Sequence, residues 1–524
     1  MGNSFIGVDF GSDSVRAVLV TADGEILAQS VHNYRRWAQG LYSDAAASKF
    51  RQHPLDYLEG LEAVIKGVLA GHNAGAVRGI GVDTTGSTPC AVDAAGVPLA
   101  LSEEFAEDPD AMFILWKDHT ALAESEEINA LCRKWHTDYT RYEGGGYSPE
   151  WFWAKYLHIL RNNEKLREKC CGFVEHCDWI TAMLAGVPVK PGRCTAGHKA
   201  MWHPDWGGLP PEEFFTALDP LLTGRCANLY KETFTADIPV GNLSEYWAEK
   251  LGLSREVVIS GGMLDAHAGA VGAAIEEGKM IKVIGTSTCE MLVVPGIDKT
   301  IPGICGQVDG SIVPGMTGLE AGQAAFGDVY AWFKRFLSYG GEIDLKKLNE
   351  DAAALPIDDM IALDWMNGRR CPEVNPHLTG AIFGINLGTT APMVFRSLVE
   401  ATAFGAKRII DRFVAEGVKI NTVAAIGGIA KKSPFVMQTC ADVLDMPIKV
   451  VSSDQACALG SAMFASVASA VHKDIHAAMQ KMNSGYESEY LPNAVNVEIY
   501  RKKYLRYLAL ADAVEKETME KLEK

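Results

Sequence analysis

Four short segments gather Gly, Ser, Thr and Asp where the chain leaves an apolar run. The first is Asp9-Phe10-Gly11-Ser12-Asp13-Ser14. Gly11 lets the backbone turn close to a ligand, and the N–H groups and hydroxyls of Ser12 and Ser14 can donate to phosphate oxygens. Asp9 ends the apolar run and could hold magnesium through water. The same residues also make an ordinary hairpin turn whose Asp bonds its own backbone. The second segment, Gly285-Thr286-Ser287-Thr288, presents hydroxyls and N–H groups that suit another phosphate. In the third, Gly427-Gly428-Ile429-Ala430, paired glycines permit approach of a flat ligand such as adenine, or form a plain tight turn. The fourth runs from Gly261 to Gly269 and puts Asp265 near a predicted helix start. There its carboxylate could accept a proton from a substrate hydroxyl, or cap the helix. His267 reads as a packed histidine.

Neither common nucleotide loop is present. No Gly-x-x-x-x-Gly-Lys-Ser/Thr occurs, and Gly79-Ile80-Gly81 is followed by Thr84 where a dinucleotide fingerprint needs Gly or Ala. The formal net charge of -17 makes nucleic acid a poor partner. Attraction for a nucleotide must then come from backbone N–H groups, magnesium and a few cations. Twelve cysteines, none in Cys-x-x-Cys, suit a reducing cytosol better than zinc or a disulfide framework. No leader is expected, since the first cationic residue is Arg16 and a strand already starts at Phe5. No run of 18 apolar residues exists, so no membrane partner is expected and the expected compartment is the cytoplasm.

The elements that must position these residues follow from periodicity. Phe5–Phe10, Val15–Val20 and Ile26–Ser30 read as a strand meander with a tight turn at Ala22-Asp23-Gly24. Leu58, Leu61, Ile65 and Val68 recur at helical spacing, and Gly79–Asp83 reads as the next strand. A similar order restarts at Lys282–Ile284 and Glu290–Val294. A helix is predicted from about Gly322 to Leu337, and another opens at Pro392 with Phe395, Leu398, Val399, Thr402 and Ile409 on one face. Strand Thr422–Ile426, helix Pro434–Leu444, strand Ile448–Val451 and helix Ala456–Val471 complete the second half. Residues 1–275, 282–471 and 472–524 are thus expected as a first domain, a second domain and a helical extension. The tail should carry Ile499, Tyr500, Tyr504 and Tyr507 on its apolar side, against the second half.

The four segments, in this order, resemble the FGGY carbohydrate kinases of the sugar-kinase, actin and heat-shock ATPase superfold. The resemblance runs from Phe5 to about Val471. It implies an α/β fold of two ribonuclease-H-like domains, with ATP and a sugar in the cleft between them. It makes Asp265 the general base, sets Gly285 and Thr286 beside the phosphates, and faces Gly427 and Gly428 to the adenosine. Gln438, Ala441 and Asp442 complete an adenosine-side signature, in which Ile429 replaces a common third Gly and Lys432 is extra.

Four further segments choose among sugars. Trp116-Lys117-Asp118-His119-Thr120 stands where the family usually has Trp-x-Asp-x-Arg. With Cys194–Ala200, Gly318–Gln323 and Asp83–Pro89, it is similar to the members that act on ribulose and departs from xylulose and glycerol kinases. By that resemblance Trp116 walls the sugar site, Lys199 and Glu320 bind oxygens, and Gly86 offers backbone. As isolated residues, Lys199 and Glu320 would read as solvated charges and Trp116 as core. The expected activity is ATP- and Mg2+-dependent phosphorylation of L-ribulose at its terminal hydroxyl, as in L-arabinose catabolism. The rivals are a kinase for xylulose, another ketopentose or a polyol, and a nucleotide-driven clamp or sugar sensor. Expected partners are the sugar and ATP, and a homodimer is the assembly considered.

Overall fold

The computed structural model describes residues 2–227 and 229–522. The chain forms two compact units. The first holds Met1–Ala274, Gly306–Gly318 and Gln455–Ser484, and the second holds Ile275–Cys305, Leu319–Asp454 and Gly485–Lys524.

In the first unit, strands Ser4–Phe10, Ser14–Thr21 and Ile26–Asn33 form the predicted antiparallel meander. Val77–Thr84 lies parallel to the first strand, with Asp9 opposite Asp83. Short strands Val258–Ile259 and Met263–Leu264 pair with the far side of Val77–Thr84. Every residue of Ser4–Phe10 is buried, because helices cover both faces. Side chains alternate across the sheet. Ile6, Val8, Val15, Ala17, Ile80 and Val82 face one way, into a core with Leu61, Val64, Ile65 and Val68 of helix Pro54–Leu69. Gly7, Asp9, Gly81 and Asp83 face the other way. There helix Ala456–Ala468 lies directly on the strands, and a Cβ at Gly7 or Gly81 would overlap the backbone of Ala458 or Ser461. Read in chain order, this helix belongs with the second half; small residues on both surfaces dock it in the first unit.

The second unit repeats the plan. Lys279–Ile284 pairs antiparallel with Thr288–Val294 and parallel with Thr422–Ile426, which continues to Ile448–Val451 and Tyr486–Tyr490. Helix Ala391–Ala415 buries Phe395, Leu398, Val399, Thr402 and Ile409, the face read from the sequence. The helix predicted from Gly322 begins instead at Gly327. Residues Thr317–Ala321 are a strand, and Gln323 enters a buried network where its side chain bonds Lys282, Asp364 and the Thr402 carbonyl. The C-terminal helix Ala494–Leu522 buries Tyr500, Tyr504 and Tyr507, but Ile499 is 42% exposed. Buried hydrogen bonds from Tyr500 and Lys503 to Glu400, and from Tyr507 to Asp364, tie this helix to the unit and set its rotation.

Candidate active site

In the first unit the strand ends converge. Asp9 and Asp83 stand side by side at the ends of parallel strands, and Thr85 N–H donates to the Phe10 carbonyl at 3.0 Å. Leu264 pairs with Thr84, so the next residue, Asp265, opens helix Asp265–Gly272 beside the same strand end. Its Oδ1 accepts the Ala266 N–H at 2.7 Å, and the residue is half-buried. Three carboxylates therefore meet at one sheet edge. Sequence reasoning missed Asp83. Its signal was available, since Asp9 and Asp83 each end an apolar strand.

Burial pushes the Asp9 pKa up, against the Arg16 guanidinium 3.1 Å away, which pulls it down. Asp83 is raised further, by burial first and then by the Asp9 charge, although it accepts a hydrogen bond from Ser461 Oγ at 2.6 Å. Asp83 Oδ1 is buried with no hydrogen-bond donor among the described residues. Two oxygen-bearing groups crowded against each other, with one arginine to offset them, fit a hard divalent cation. Cys457 Sγ lies in the same cluster, but its thiol pKa is driven up by burial, and sulfur is a poor ligand for such an ion.

The Gly11–Ser14 turn is closed by Gly11 N–H donating to the Ser14 carbonyl at 3.0 Å, so that N–H shapes the turn. Ser14 is buried. Ser12 Oγ accepts from Trp116 Nε1 at 2.9 Å, and the Ser12 carbonyl accepts from Gln52 at 2.6 Å. This contact joins a residue expected at a phosphate to one expected at a sugar. Trp116 is half-buried, so it is not a core residue. The neighbouring Asp118 is fully buried. It pairs with Arg51 and accepts the Phe50 and Thr120 N–H groups, so in the Trp116–Thr120 motif the Asp anchors the loop. Gly86 sits against Leu264, the residue before Asp265. Lys199 ends helix Arg193–Lys199, only 4% exposed, with its Nζ 5.5 Å from the Trp151 ring centre. The first turn of that helix is held by Asp178, which accepts from Gly192 N–H at 2.9 Å and Thr195 Oγ1 at 3.1 Å.

In the second unit Gly285 and Thr286 are exposed at the end of strand Lys279–Ile284. Their carbonyls accept the N–H groups of Phe326, Gly327 and Asp328, capping helix Gly327–Leu337. Gly427 has φ of 104° and its Cβ position would overlap the Ile284 carbonyl, so only glycine lets these two strand ends close together. Gly428 is exposed and a Cβ there would meet nothing within 4 Å, which leaves room for a flat ligand. Glu320 lies in strand Thr317–Ala321 and is 5% exposed. Burial of both Lys199 and Glu320 overturns their reading as solvated charges. Gln438 and Asp442, expected in an adenosine-side signature, bond each other and segment Leu491–Asn496. They fasten the C-terminal helix.

The profile of the FGGY family of carbohydrate kinases, C-terminal domain, matches residues 280–469. A ribulokinase of Vibrio parahaemolyticus is 46% identical over 543 residues, covering 97% of this chain and 96% of that protein. One from Shouchella clausii is 38% identical, covering 97% and 94%. The chain belongs to the FGGY carbohydrate kinase family. Among solved structures, the xylulose kinase from Rhodospirillum rubrum superposes with a TM-score of 0.82 at 20% identity, covering 99% of this chain and all of that one; it shares the fold. As an FGGY kinase the protein uses ATP to phosphorylate a sugar, and the two-unit α/β fold is the one that family resemblance implied. No helix among the described residues is long and apolar enough to cross a membrane.

Proposed function

We propose that this FGGY kinase phosphorylates L-ribulose at its terminal hydroxyl, giving L-ribulose 5-phosphate. The observation that carries the reading is the 46% identity, end to end, to a protein named ribulokinase. The first unit supplies the sugar side. The Trp116 ring offers an apolar wall, the Lys199 ammonium a donor for sugar oxygens, and Gly86 a backbone contact. Within the second unit, Gly285 and Thr286 serve phosphates, and Gly427 and Gly428 serve adenosine.

Asp265 takes the proton from the attacking hydroxyl. A carboxylate at the first turn of a helix, half-open to solvent, can reach a bound substrate. Ser12 and Ser14 belong to the phosphate turn, with Gly11 shaping it. Asp9, with Asp83 beside it, would hold Mg2+ through water; the cation supplies charge neutralisation for the transferred phosphoryl group. Holding the hydroxyl in line and keeping water away are tasks for the protein's own side chains. Twelve cysteines, none in Cys-x-x-Cys, support a reducing, cytoplasmic setting.

A coupled ADP-release assay over a panel of pentuloses and polyols tests this. L-Ribulose should give the highest kcat/KM. Faster use of xylulose or glycerol would replace the substrate, and ADP release without any sugar would favour a nucleotide-driven clamp.

A further inference from the structure

Helix Phe152–Asn162 is buried almost all round, yet it carries a lysine in its second turn. Lys155 is 1% exposed. Its Nζ donates to the carbonyls of Ser87 at 2.8 Å, Leu115 at 3.0 Å and Ile114 at 3.3 Å. An ammonium has three N–H donors, and three carbonyls from two separate segments use all of them. Ser87 follows Gly86 and Leu115 precedes Trp116. The Ser87 loop is gripped from its other side by buried Glu175, which accepts Ser87 Oγ–H and, at 2.8 Å, the Thr88 N–H. The same helix start reaches the third sugar-side segment. Trp153 Nε1 donates to the Ala200 carbonyl at 2.7 Å, and the Trp151 ring underlies the Lys199 ammonium.

We propose that Lys155 is a positioning residue for the sugar, locking the backbone of Gly86 and Trp116 in register with Lys199. A buried lysine in an apolar helix is costly, and a methionine would fill the same space. What methionine lacks is the three-way hydrogen-bonded link between the Ser87 and Ile114–Leu115 segments. Burial lowers the lysine pKa to about 7, and the Glu175 charge opposes that shift. The role rests on the assignment of Gly86 and Trp116 to the sugar site.

The test is steady-state kinetics of Lys155→Met with both substrates, read with whichever sugar the unaltered enzyme uses best, so that the identity of the sugar and the role of Lys155 fail separately. Sugar KM should rise about 10- to 100-fold, the cost of misplacing a bound group by about an ångström, while ATP KM stays within about twofold. Unchanged sugar KM, or an equal rise in both constants, overturns the proposal, since a merely structural lysine would not separate the two substrates. If the methionine variant does not fold, Lys155→Gln decides: its amide has two N–H donors and cannot serve all three carbonyls. A rise confined to sugar KM supports the clamp, and no such rise overturns it.

Discussion

Replacing Lys199 by methionine separates a sugar-binding ammonium from a packing lysine. Lys199 is only 4% exposed, so alanine would leave a cavity and confuse binding with stability. Methionine keeps the stem, and its thioether can still lie against the Trp151 ring. If the ammonium donates to a sugar oxygen, its removal loses a charge-assisted hydrogen bond, worth about 1.5–3 kcal/mol. That corresponds to roughly 10- to 150-fold in kcat/KM for the sugar. The cation–π contact with Trp151, 5.5 Å from Nζ to ring centre, orients the ammonium in the free protein and contributes to stability, not to sugar selection. The assay varies sugar at saturating ATP, then ATP at saturating sugar, with the thermal midpoint measured alongside. ATP KM should stay within about twofold. A variant that loses ATP affinity while sugar kinetics hold would show that the Lys199 segment does not face the sugar.

Asp265→Asn should leave nucleotide binding intact and lower turnover by about 10²–10⁴-fold; undiminished kcat would remove Asp265 as the base. Gly427→Ala meets both a φ of 104° and the Ile284 carbonyl, so it should cost about 2–3 kcal/mol in a urea titration and raise ATP KM but not sugar KM. An alanine variant as stable as the parent would refute the close approach of those strand ends. Asp178 is pushed up to about 7 by burial. Between about pH 4 and 7 its carboxyl is ionised in the unfolded chain but protonated in the fold, so the folded state binds more protons and stability falls as pH rises. Asp178→Asn should flatten that slope by up to roughly 4 kcal/mol across the window, and an unchanged pH profile of urea midpoints would contradict it.

The sequence by itself determined the strands and most helices, because alternation and helical spacing are local consequences of which faces must be buried. It marked the turns at Gly11, Gly285 and Gly427, since Gly and small hydroxyl residues announce a backbone that must bend or be approached. It also marked Asp265, through its place near a predicted helix start in a small-residue segment. What depended on long-range packing stayed hidden. The pairing of Asp9 with Asp83 needs the parallel register between two strands distant in sequence. Lys199 is buried against Trp151, just before helix Phe152–Asn162, and Glu320 by its place inside a sheet. Gln438 and Asp442 bond a segment some fifty residues downstream, which no local signal describes. The docking of Ala456–Ala468 on the first sheet, and the three carbonyls collected by Lys155, likewise follow from which surfaces the folded chain presents to each other; only tertiary structure fixes that, because the energy of a buried polar group is set by partners that sequence distance does not reveal.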